Sequence, residues 1–316
     1  MTTGVLSIDL GAIARNWETL RDLHAPGDVA AVVKADAYGL GVARVAPVLA
    51  AAGCRHFFVA TPREGRVLRE LLGAGPMVAV LDGIPGTPPP GVTPVLNSLD
   101  DVRRHRGEAI LHLDTGMNRL GLSPAEVTAL AAEPALLDGI TLRYVMTHLA
   151  AAEDPAHPLN ARQRDAFAAA CAMLPRARRS LANSSGIFLG EGFRSELARP
   201  GAALYGLNPT PGQDNPMEQV VGLRLPILQL REVPPGATVG YGAAWLATRP
   251  SRIATVAGGY ADGIPRAWEA GGWGVLHGSE VRLAGRVSMD LMCFDVTDAP
   301  PAQPGDMVEV MGLGQD

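Results

Sequence analysis

The strongest constraint on this chain is the alternation of short apolar runs with longer helical stretches through its first two thirds. Runs of strand-like composition occur at residues 30–35, 56–61, 77–81, 92–97, 109–114, 142–148, 179–184 and 202–206. Helix-like stretches rich in Ala, Leu, Arg and Glu lie at residues 42–52, 62–72, 124–132 and 159–174. Eight strands alternating with helices predict an α/β fold built on an N-terminal (β/α)8 TIM-like barrel. A doubly wound open sheet is the alternative, but it usually carries a Gly-rich turn after its first strand, and none occurs here.

The composition changes near residue 222, where helical stretches nearly vanish. Strand-like runs at residues 223–233, 237–242, 252–260, 280–297 and 306–311 are separated by turns that contain Pro-Gly or Gly-Gly. We therefore expect a barrel domain at residues 9–221 and a smaller, mostly-β C-terminal domain at residues 222–316, which residues 1–8 could join. The Pro-rich stretch at residues 84–92 is interpreted as a barrel loop, because a strand-like run resumes directly behind it.

Composition excludes several classes of function. The net charge is −5, aromatic residues make up 5%, and no run of Lys and Arg occurs, so we expect no nucleic-acid partner. No apolar stretch approaches the roughly 18 residues of a membrane helix, and the N-terminus does not resemble a signal peptide. Three widely spaced cysteines favour a reduced, cytoplasmic location. The seven histidines show no metal-ligand spacing, so we predict no metal site.

Lys34 is the most informative single residue, because it ends an apolar strand and precedes a Gly-bearing turn. In a parallel barrel, the carboxyl ends of the strands form the active face. A lysine partly removed from water there can keep a neutral amine, which attacks an aldehyde to form a Schiff base. The alternative is a lysine whose stem covers apolar surface while its charge stays in water. The segment alone leaves both interpretations open.

Polar residues follow several other predicted strands. Arg119 follows a strand end and a Gly-Met turn, where it could pair with a cofactor oxygen, a substrate carboxylate or a structural carboxylate. His148 also ends a strand, although a lone histidine is more often structural. Residues 183–186 (NSSG) and 198–201 (ARPG) offer hydroxyl and backbone N–H groups to a phosphate. Barrel phosphate sites commonly use the loops after the seventh and eighth strands.

Eight motifs occur in one order along the chain. They are VVKADAYGLG (32–41), LDTGMNRLGL (113–122), THLAAAED (147–154), ANSS (182–185), LARPGAALYG (197–206), GYGAAW (240–245), GGYADGIPR (258–266) and AGRVSMD (284–290). In these motifs the chain resembles alanine racemase, a family of fold type III enzymes that use pyridoxal 5'-phosphate (PLP). The resemblance covers nearly the whole chain, and eight collinear motifs leave little room for chance.

The resemblance implies how PLP would be bound. Lys34 would hold the cofactor as a Schiff base and act as one catalytic base. Tyr38, Ser184, Gly201 and Ala202 would contact the phosphate. Arg199 would face the pyridine nitrogen of the cofactor.

The resemblance also implies the second half of the site. Tyr241 would be the second catalytic base, donated by the partner subunit of a head-to-tail homodimer, with His148 between Tyr241 and Arg199. Arg119 would face the phenolic oxygen of the cofactor and contribute to substrate binding. Met289 would hold the substrate carboxylate through its backbone, and Tyr260 would line the entrance.

The chain departs from the family pattern at two places. Many members carry a lysine that becomes carbamylated two residues before the Asp of LDTG, and this chain has His112 there. A histidine cannot carry that carbamate, so Arg119 would be held by another anion, by His112 or by Asp114. The family also continues past the VEVMG strand at 308–312, so the resemblance implies that its C-terminal tail is missing from this chain.

The resemblance implies a racemase that interconverts L- and D-alanine by a two-base mechanism and supplies D-alanine for peptidoglycan. A racemase of another small amino acid such as serine is one alternative, since a single methyl or hydroxyl changes selectivity only modestly. A PLP decarboxylase of the same plan is disfavoured, because such enzymes place an acidic residue at the pyridine nitrogen and this chain has Arg199. The alternative from another class is a non-catalytic PLP-binding protein, which would lack the β domain.

Overall fold

The computed structural model describes residues 4–83, 86 and 88–312, and its contacts divide the chain into two compact units. One unit is Asp9–Val220, and the other combines Met1–Ile8 with Val221–Asp316. Residues 84, 85 and 87 of the predicted Pro-rich loop lie outside the described residues. So do residues 1–3 and 313–316 at the ends of the predicted β domain.

Unit Asp9–Val220 is built on parallel strands. After β1 (Val5–Ile8), which belongs to the other unit, its strands are β2 (Asp28–Val29), β3 (Ala31–Val32), β4 (His56–Val59), β5 (Met77–Val80), β6 (Val92–Leu96), β7 (Gly107–His112), β8 (Ile140–Met146), β9 (Arg178–Ser180) and β10 (Leu197–Ala198). Their order is β2-β10-β9-β8-β7-β6-β5-β4-β3. Only Ala30 separates β2 from β3, and its N–H donates to the Ala198 carbonyl at 2.8 Å. Residues 28–32 therefore act as one strand that pairs on both sides and closes an eight-stranded barrel, which confirms the predicted fold class.

Helices lie between the barrel strands. They are α1 (Leu10–His24), α2 (Lys34–Tyr38), α3 (Val42–Ala51), α4 (Pro62–Leu72), α5 (Leu99–Arg104), α6 (Pro124–Ala132) and α7 (Pro158–Met173). The starts of α4 and α6 follow from local sequence. Thr61 forms a capping box with Glu64, and Ser123 forms one with Glu126; in each case a proline is the first residue of the helix. The helices predicted at residues 62–72 and 124–132 match these bounds.

The eighth predicted strand, at residues 202–206, is wrong. Residues Ala202–Tyr205 form a 3₁₀-helix, and the strand at this position of the barrel is β10, just before it. The Leu204 N–H donates to the Gly201 carbonyl at 3.0 Å, which closes the helical turn. A four-residue apolar run is compatible with a buried strand or a buried helix, so periodicity could not separate the two.

The other unit is an antiparallel β structure. Besides β1 it contains β11 (Val221–Val233), β12 (Thr238–Val239), β13 (Trp245–Leu246), β14 (Ser251–Ala257), β15 (Trp273–Leu276), β16 (Ser279–Leu283), β17 (Leu291–Asp295) and β18 (Met307–Met311). The order β11-β14-β17-β16-β15-β18 returns to β11, because β18 also pairs with it, and β1 pairs antiparallel with the first residues of β11. Closure leaves this six-stranded ring without free edges. Buried side chains such as Ile227, Val256, Phe294 and Val308 fill it.

Three strands that the sequence predicted in this unit are longer than the strands that the structure contains. The runs at residues 237–242 and 252–260 end early, since Tyr241 and Tyr260 each begin a 3₁₀ turn. The run at residues 280–297 is two strands joined by residues 284–290. Each interruption contains glycines, and Gly240, Gly242 and Gly285 have φ between 69° and 91°, which a continuous strand does not use.

Two leucines on β11 test the closed core. Leu225 is 4% exposed and Leu228 is 43% exposed. We expect Leu225→Ala to lower the free energy of unfolding by about 2–5 kcal/mol, because it removes buried methyl groups and leaves a cavity. The matched change Leu228→Ala should cost roughly 1 kcal/mol or less. Urea unfolding followed by circular dichroism measures both, and equal losses would contradict the assignment of the core.

Candidate active site

Lys34 lies just after β3, at the carboxyl end of the barrel strands, and is followed by a left-handed helical turn. Ala35, Asp36, Ala37 and Tyr38 have φ between 53° and 57°, so α2 is a left-handed turn made of non-glycine residues. Such backbone costs about 1–2 kcal/mol per residue and persists only where the surroundings hold it.

Two carboxylates hold this turn. The Glu64 carboxylate accepts the Ala35 N–H at 2.7 Å, and the Asp36 carboxylate accepts the Val42 N–H at 2.8 Å. Glu64 also accepts the N–H groups of Ala60 and Thr61 at the start of α4. The start of α4 is thereby tied to the residue that follows Lys34.

Ser184 organises the segment that the sequence predicted to bind a phosphate. Its Oγ accepts the Gly201 N–H at 3.1 Å and the Ala203 N–H at 3.2 Å. A hydroxyl has two lone pairs and one proton. With both lone pairs used, the Ser184 proton is left to donate to an anion.

Tyr38 packs against the same segment. Its ring packs on Tyr205 with ring centroids 4.6 Å apart, and Tyr205 Oη donates to the Val32 carbonyl at 3.0 Å. A Cβ added at Gly201 would lie 2.3 Å from Tyr38 Oη, so only glycine allows this approach. Ala202 starts the adjoining 3₁₀-helix. Tyr38, Ser184, Gly201 and Ala202 therefore come together, and the O–H groups of Tyr38 and Ser184 are the hydroxyl donors of this segment.

Arg199 is a buried cation held by neutral groups. It is 4% exposed, and its guanidinium donates to Ser180 Oγ and to the Thr147 carbonyl. Burial lowers the pKa of Arg199 to about 10, so the side chain keeps its proton at neutral pH. Among the described residues, no carboxylate lies within 4 Å to neutralise it.

His148 lies between positive groups. Burial first, and then the charges of Arg199, Arg119, His112 and Lys34, lower the pKa of His148 to about 3. The imidazole is therefore neutral at physiological pH. Because Arg199, Arg119 and Lys34 all act on this ring, the barrel brings these three side chains and His148 into one region at the carboxyl ends of its strands.

Arg119 is carried by a loop that Asp114 shapes. The Asp114 carboxylate accepts the N–H groups of Gly116, Met117 and Asn118 at 2.9, 3.0 and 3.1 Å. The Asp114 N–H donates to the Leu122 carbonyl, so the loop folds back on itself. Arg119 lies exposed on this loop.

The remaining predicted site residues belong to the β unit, where they lie on loops between strands. Tyr241 is 72% exposed, Met289 is 54% exposed and Tyr260 is 39% exposed. The Tyr260 N–H donates to the Ser288 carbonyl at 3.0 Å, and the Ala261 N–H donates to the Met289 carbonyl at 2.9 Å, so the loops of Tyr260 and Met289 are joined. Exposed aromatic and methionine side chains that cluster in this way are typical of contact surfaces.

Sequence reasoning missed several residues that build the site. Tyr205 supports Tyr38, Ser180 and Thr147 hold Arg199, and Asn97 binds His112 Nδ1 at 2.8 Å. Tyr205 lies in the LARPGAALYG motif, so the motif could have indicated it. Thr147 lies in the THLAAAED motif in the same way, whereas Ser180 and Asn97 lie outside all eight motifs and carry no comparable signal.

Within the described part of the chain, no group of three His, Cys, Asp or Glu side chains could hold a metal ion. The same residues contain no helix that is both long enough and apolar enough to span a membrane.

Comparison with known proteins identifies the family. The model of the alanine racemase N-terminal domain matches residues 8–209, and that of the C-terminal domain matches residues 220–316. Alanine racemase of Acidiphilium cryptum is 53% identical over 100% of this chain and 92% of the relative. That of Rhodospirillum rubrum is 50% identical over 98% of this chain and 87% of the relative.

Solved structures agree with these matches. The crystal structure of alanine racemase from Bartonella henselae with covalently bound pyridoxal phosphate has a TM-score of 0.93 and 38% identity, covering 100% of this chain and 92% of that one. The biosynthetic alanine racemase of Pseudomonas aeruginosa has a TM-score of 0.91 and 33% identity, covering 99% of this chain and 91% of that one. This chain belongs to the alanine racemase family.

Proposed function

We propose that this chain interconverts L- and D-alanine with PLP bound covalently to Lys34. The observation that carries the proposal is the grouping of Lys34, Arg119 and Arg199 around the neutral His148 at the carboxyl end of the barrel. Family membership supports the same reaction, since the relatives named above are alanine racemases.

The described residues fit PLP. Lys34 supplies an amine for the aldehyde, Arg119 and Arg199 supply positive charge, and the segment around Ser184 supplies donors for the phosphate. When bound, PLP withdraws electrons from the α-carbon of the amino acid and so reduces the cost of removing its proton. Arg199 keeps its own proton, so its charge opposes protonation of a neighbouring pyridine nitrogen. Arg199 therefore moderates electron withdrawal, which should limit side reactions such as transamination.

Two groups of the protein would move the proton. Racemisation removes the α-proton from one face and returns a proton to the other, so two bases on opposite faces achieve it without moving the substrate. Lys34 serves one face and Tyr241 the other, and the acceptor of one direction is the donor of the reverse direction. Met289 and Arg119 orient the substrate carboxylate, and Tyr260 lines the entrance.

Tyr241 reaches the site in a head-to-tail homodimer, with each protomer donating Tyr241 to its partner. The support is the exposure of Tyr241, Tyr260 and Met289 on the β unit, since side chains of this type are enriched at interfaces. A cytoplasmic location is part of the proposal, because Cys54, Cys171 and Cys293 are free thiols, as expected in a reducing compartment.

The non-catalytic alternative is not favoured, because the family model of the C-terminal domain matches residues 220–316 and such proteins lack this domain. Supply of D-alanine for peptidoglycan remains the proposed role. Relatives include proteins named catabolic alanine racemase, such as that of Mesorhizobium japonicum at 46% identity. Deleting the gene should make growth depend on added D-alanine, whereas loss of growth on alanine as the carbon source alone would indicate the catabolic role.

One experiment tests the activity. The purified chain is loaded with PLP, treated with borohydride and digested, and the mass of the peptide containing Lys34 is measured. A second sample converts L-alanine to D-alanine in deuterated water, and α-deuterium is followed by NMR. We expect PLP on Lys34 and deuterium in both enantiomers. PLP on Lys34 without α-proton exchange would contradict racemase activity, and a peptide containing Lys34 without PLP would contradict the cofactor site.

Tyr241→Phe tests the two-base assignment. Removing the phenol should slow exchange from one enantiomer by about 100-fold or more relative to the other, because only one face loses its base. Tyr144→Phe is the control, since Tyr144 binds His56 at 3.1 Å inside the barrel and should change both directions equally. Equal losses from both enantiomers in Tyr241→Phe would contradict the assignment.

Ser184→Ala tests the phosphate segment. The change removes the acceptor of two N–H groups and one donor, so PLP affinity of the apoprotein should fall by roughly tenfold to a hundredfold. Ser185→Ala is the matched control, because Ser185 Oγ has no hydrogen-bond partner among the described residues. Absorbance titration with PLP measures both, and unchanged affinity in Ser184→Ala would count against this segment.

A further inference from the structure

Side chains hold the backbone that leaves β8 at the proposed site. Residues 147–149 form neither helix nor strand. Each of their three carbonyls accepts an N–H from a side chain, and the donors, in the order of the carbonyls, are Arg199, Gln163 and Asn183. Side chains from three separate places in the chain therefore fix one short segment, which carries His148.

Gln163 differs from the other two donors because it binds the segment twice. Its side chain is 0% exposed and lies on α7. Gln163 Nε2 donates to the His148 carbonyl at 2.9 Å, and Oε1 accepts the Ala150 N–H at 2.9 Å. A carbonyl only accepts and a backbone N–H only donates, so these two partners fix the orientation of the amide. Gln163 thus closes residues 148–150 in place of a backbone hydrogen bond.

The second N–H of the Gln163 amide reaches the loop after β7. Nε2 donates to Thr115 Oγ at 3.3 Å, and Thr115 Oγ lies 2.7 Å from Thr147 Oγ. Thr147 is 1% exposed, and its carbonyl accepts the Arg199 guanidinium. One buried amide therefore connects the loop after β7 with His148 and with the residue that holds Arg199.

We propose that Gln163 is a positioning residue for His148 and Arg199. It holds the backbone that carries the imidazole and the Thr147 carbonyl, and this role needs no contact with cofactor or substrate. Loss of the amide leaves the His148 carbonyl and the Ala150 N–H without their partners, so the segment must rearrange to satisfy them. The imidazole, which lies among the positive charges of the site, then moves with the segment.

A neutral amide is the group that this position requires. A carboxylate would repel the His148 carbonyl, and its charge would offset the positive charge that the proposed function assigns to binding an anionic cofactor. A lysine or arginine could donate to the His148 carbonyl but could not accept the Ala150 N–H. The glutamine donates and accepts without changing the charge of the site.

The inference rests on the proposed function only for its consequence, which is tighter binding of PLP. The alternative is a structural role, in which the Gln163 amide satisfies two backbone groups and does nothing else. A structural role would lower the free energy of unfolding. It would leave the environment of His148 and the PLP affinity of the folded protein unchanged.

Two substitutions on α7 separate these roles. Gln163→Met keeps the length of the side chain and removes its amide. Asn160→Leu is the matched control, because Asn160 is a buried amide, 3% exposed, whose Nδ2 donates to the Asp154 carbonyl at 2.9 Å, outside residues 147–150. Both changes should lower the urea midpoint of unfolding, since each removes a hydrogen bond to a backbone carbonyl.

The first measurement is the carbon-13 NMR signal of His148 Cε1 in the full chain without PLP, identified by its loss in His148→Gln. We expect this signal to shift or broaden in Gln163→Met and to stay unchanged in Asn160→Leu. An unchanged signal in Gln163→Met, or equal changes in both variants, would overturn the proposal. The outcome depends neither on PLP nor on racemisation, so failure of the proposed function and failure of this inference are distinguishable.

The second measurement is PLP affinity by absorbance titration. Gln163→Met should weaken PLP by about tenfold, and Asn160→Leu should weaken it by less than about twofold. Equal PLP affinities of the two variants would show a structural role and overturn the proposal.

Thr115 provides a second pair of variants if Gln163→Met does not fold. Thr115→Val keeps the shape of the side chain but removes the acceptor of the Gln163 N–H, so it should weaken PLP by about threefold. Thr115→Ser keeps the hydroxyl and should bind PLP as the unmodified protein does. Equal affinities of Thr115→Val and Thr115→Ser would contradict the role of this hydrogen-bonded link.

Discussion

The arrangement of the site depends on the burial of the Arg199 guanidinium without a carboxylate partner among the described residues. Removing a charge from water costs several kcal/mol unless hydrogen bonds replace the solvent, and here Ser180 Oγ and the Thr147 carbonyl do so. Because these partners are neutral, the positive charge is not cancelled. Burial first, and this charge in addition, lower the pKa of His148 and of His112, so the site combines fixed cations with neutral imidazoles. An anionic cofactor or substrate supplies the missing negative charge.

Local chemistry determined how much of the fold could be predicted. The bounds of α4 and α6 were predictable because proline and a capping box mark each start within the sequence itself. The conformation of residues 202–206 was not predictable, since the apolar run AALY is compatible with a buried strand or a buried helix. Only the packing of the closed barrel selects the helix. The candidate residues Lys34, Arg119, His148 and Arg199 could be named from the sequence because each lies in one of the motifs, and the barrel groups them. Asn97 and Ser180 needed the fold, because their partners are far away in sequence.

The left-handed turn after Lys34 could not have been predicted either. KADAY contains good helix formers, and propensities describe right-handed helices. The hand is decided by contacts with Glu64, which is distant in sequence, and by the Asp36 side chain. Strained backbone of this kind is concentrated at functional sites. Here the strained residues, Ala35 to Tyr38, directly follow Lys34, and Lys34 and Tyr38 both belong to the proposed cofactor site.

The pairing of β1 with β11 has a consequence for synthesis on the ribosome. Val5 pairs with Arg224, so the β unit consists of the first strand of the chain and of residues beyond 220, with the whole barrel unit inserted between them. The barrel segment is made after β1 and has all of its own strands before β11 is made. Until then β1 has no partner, and its exposed Val5 and Leu6 are a hydrophobic edge that can pair with other chains. The nascent chain therefore passes through a period in which β1 is an unpaired apolar segment that favours aggregation.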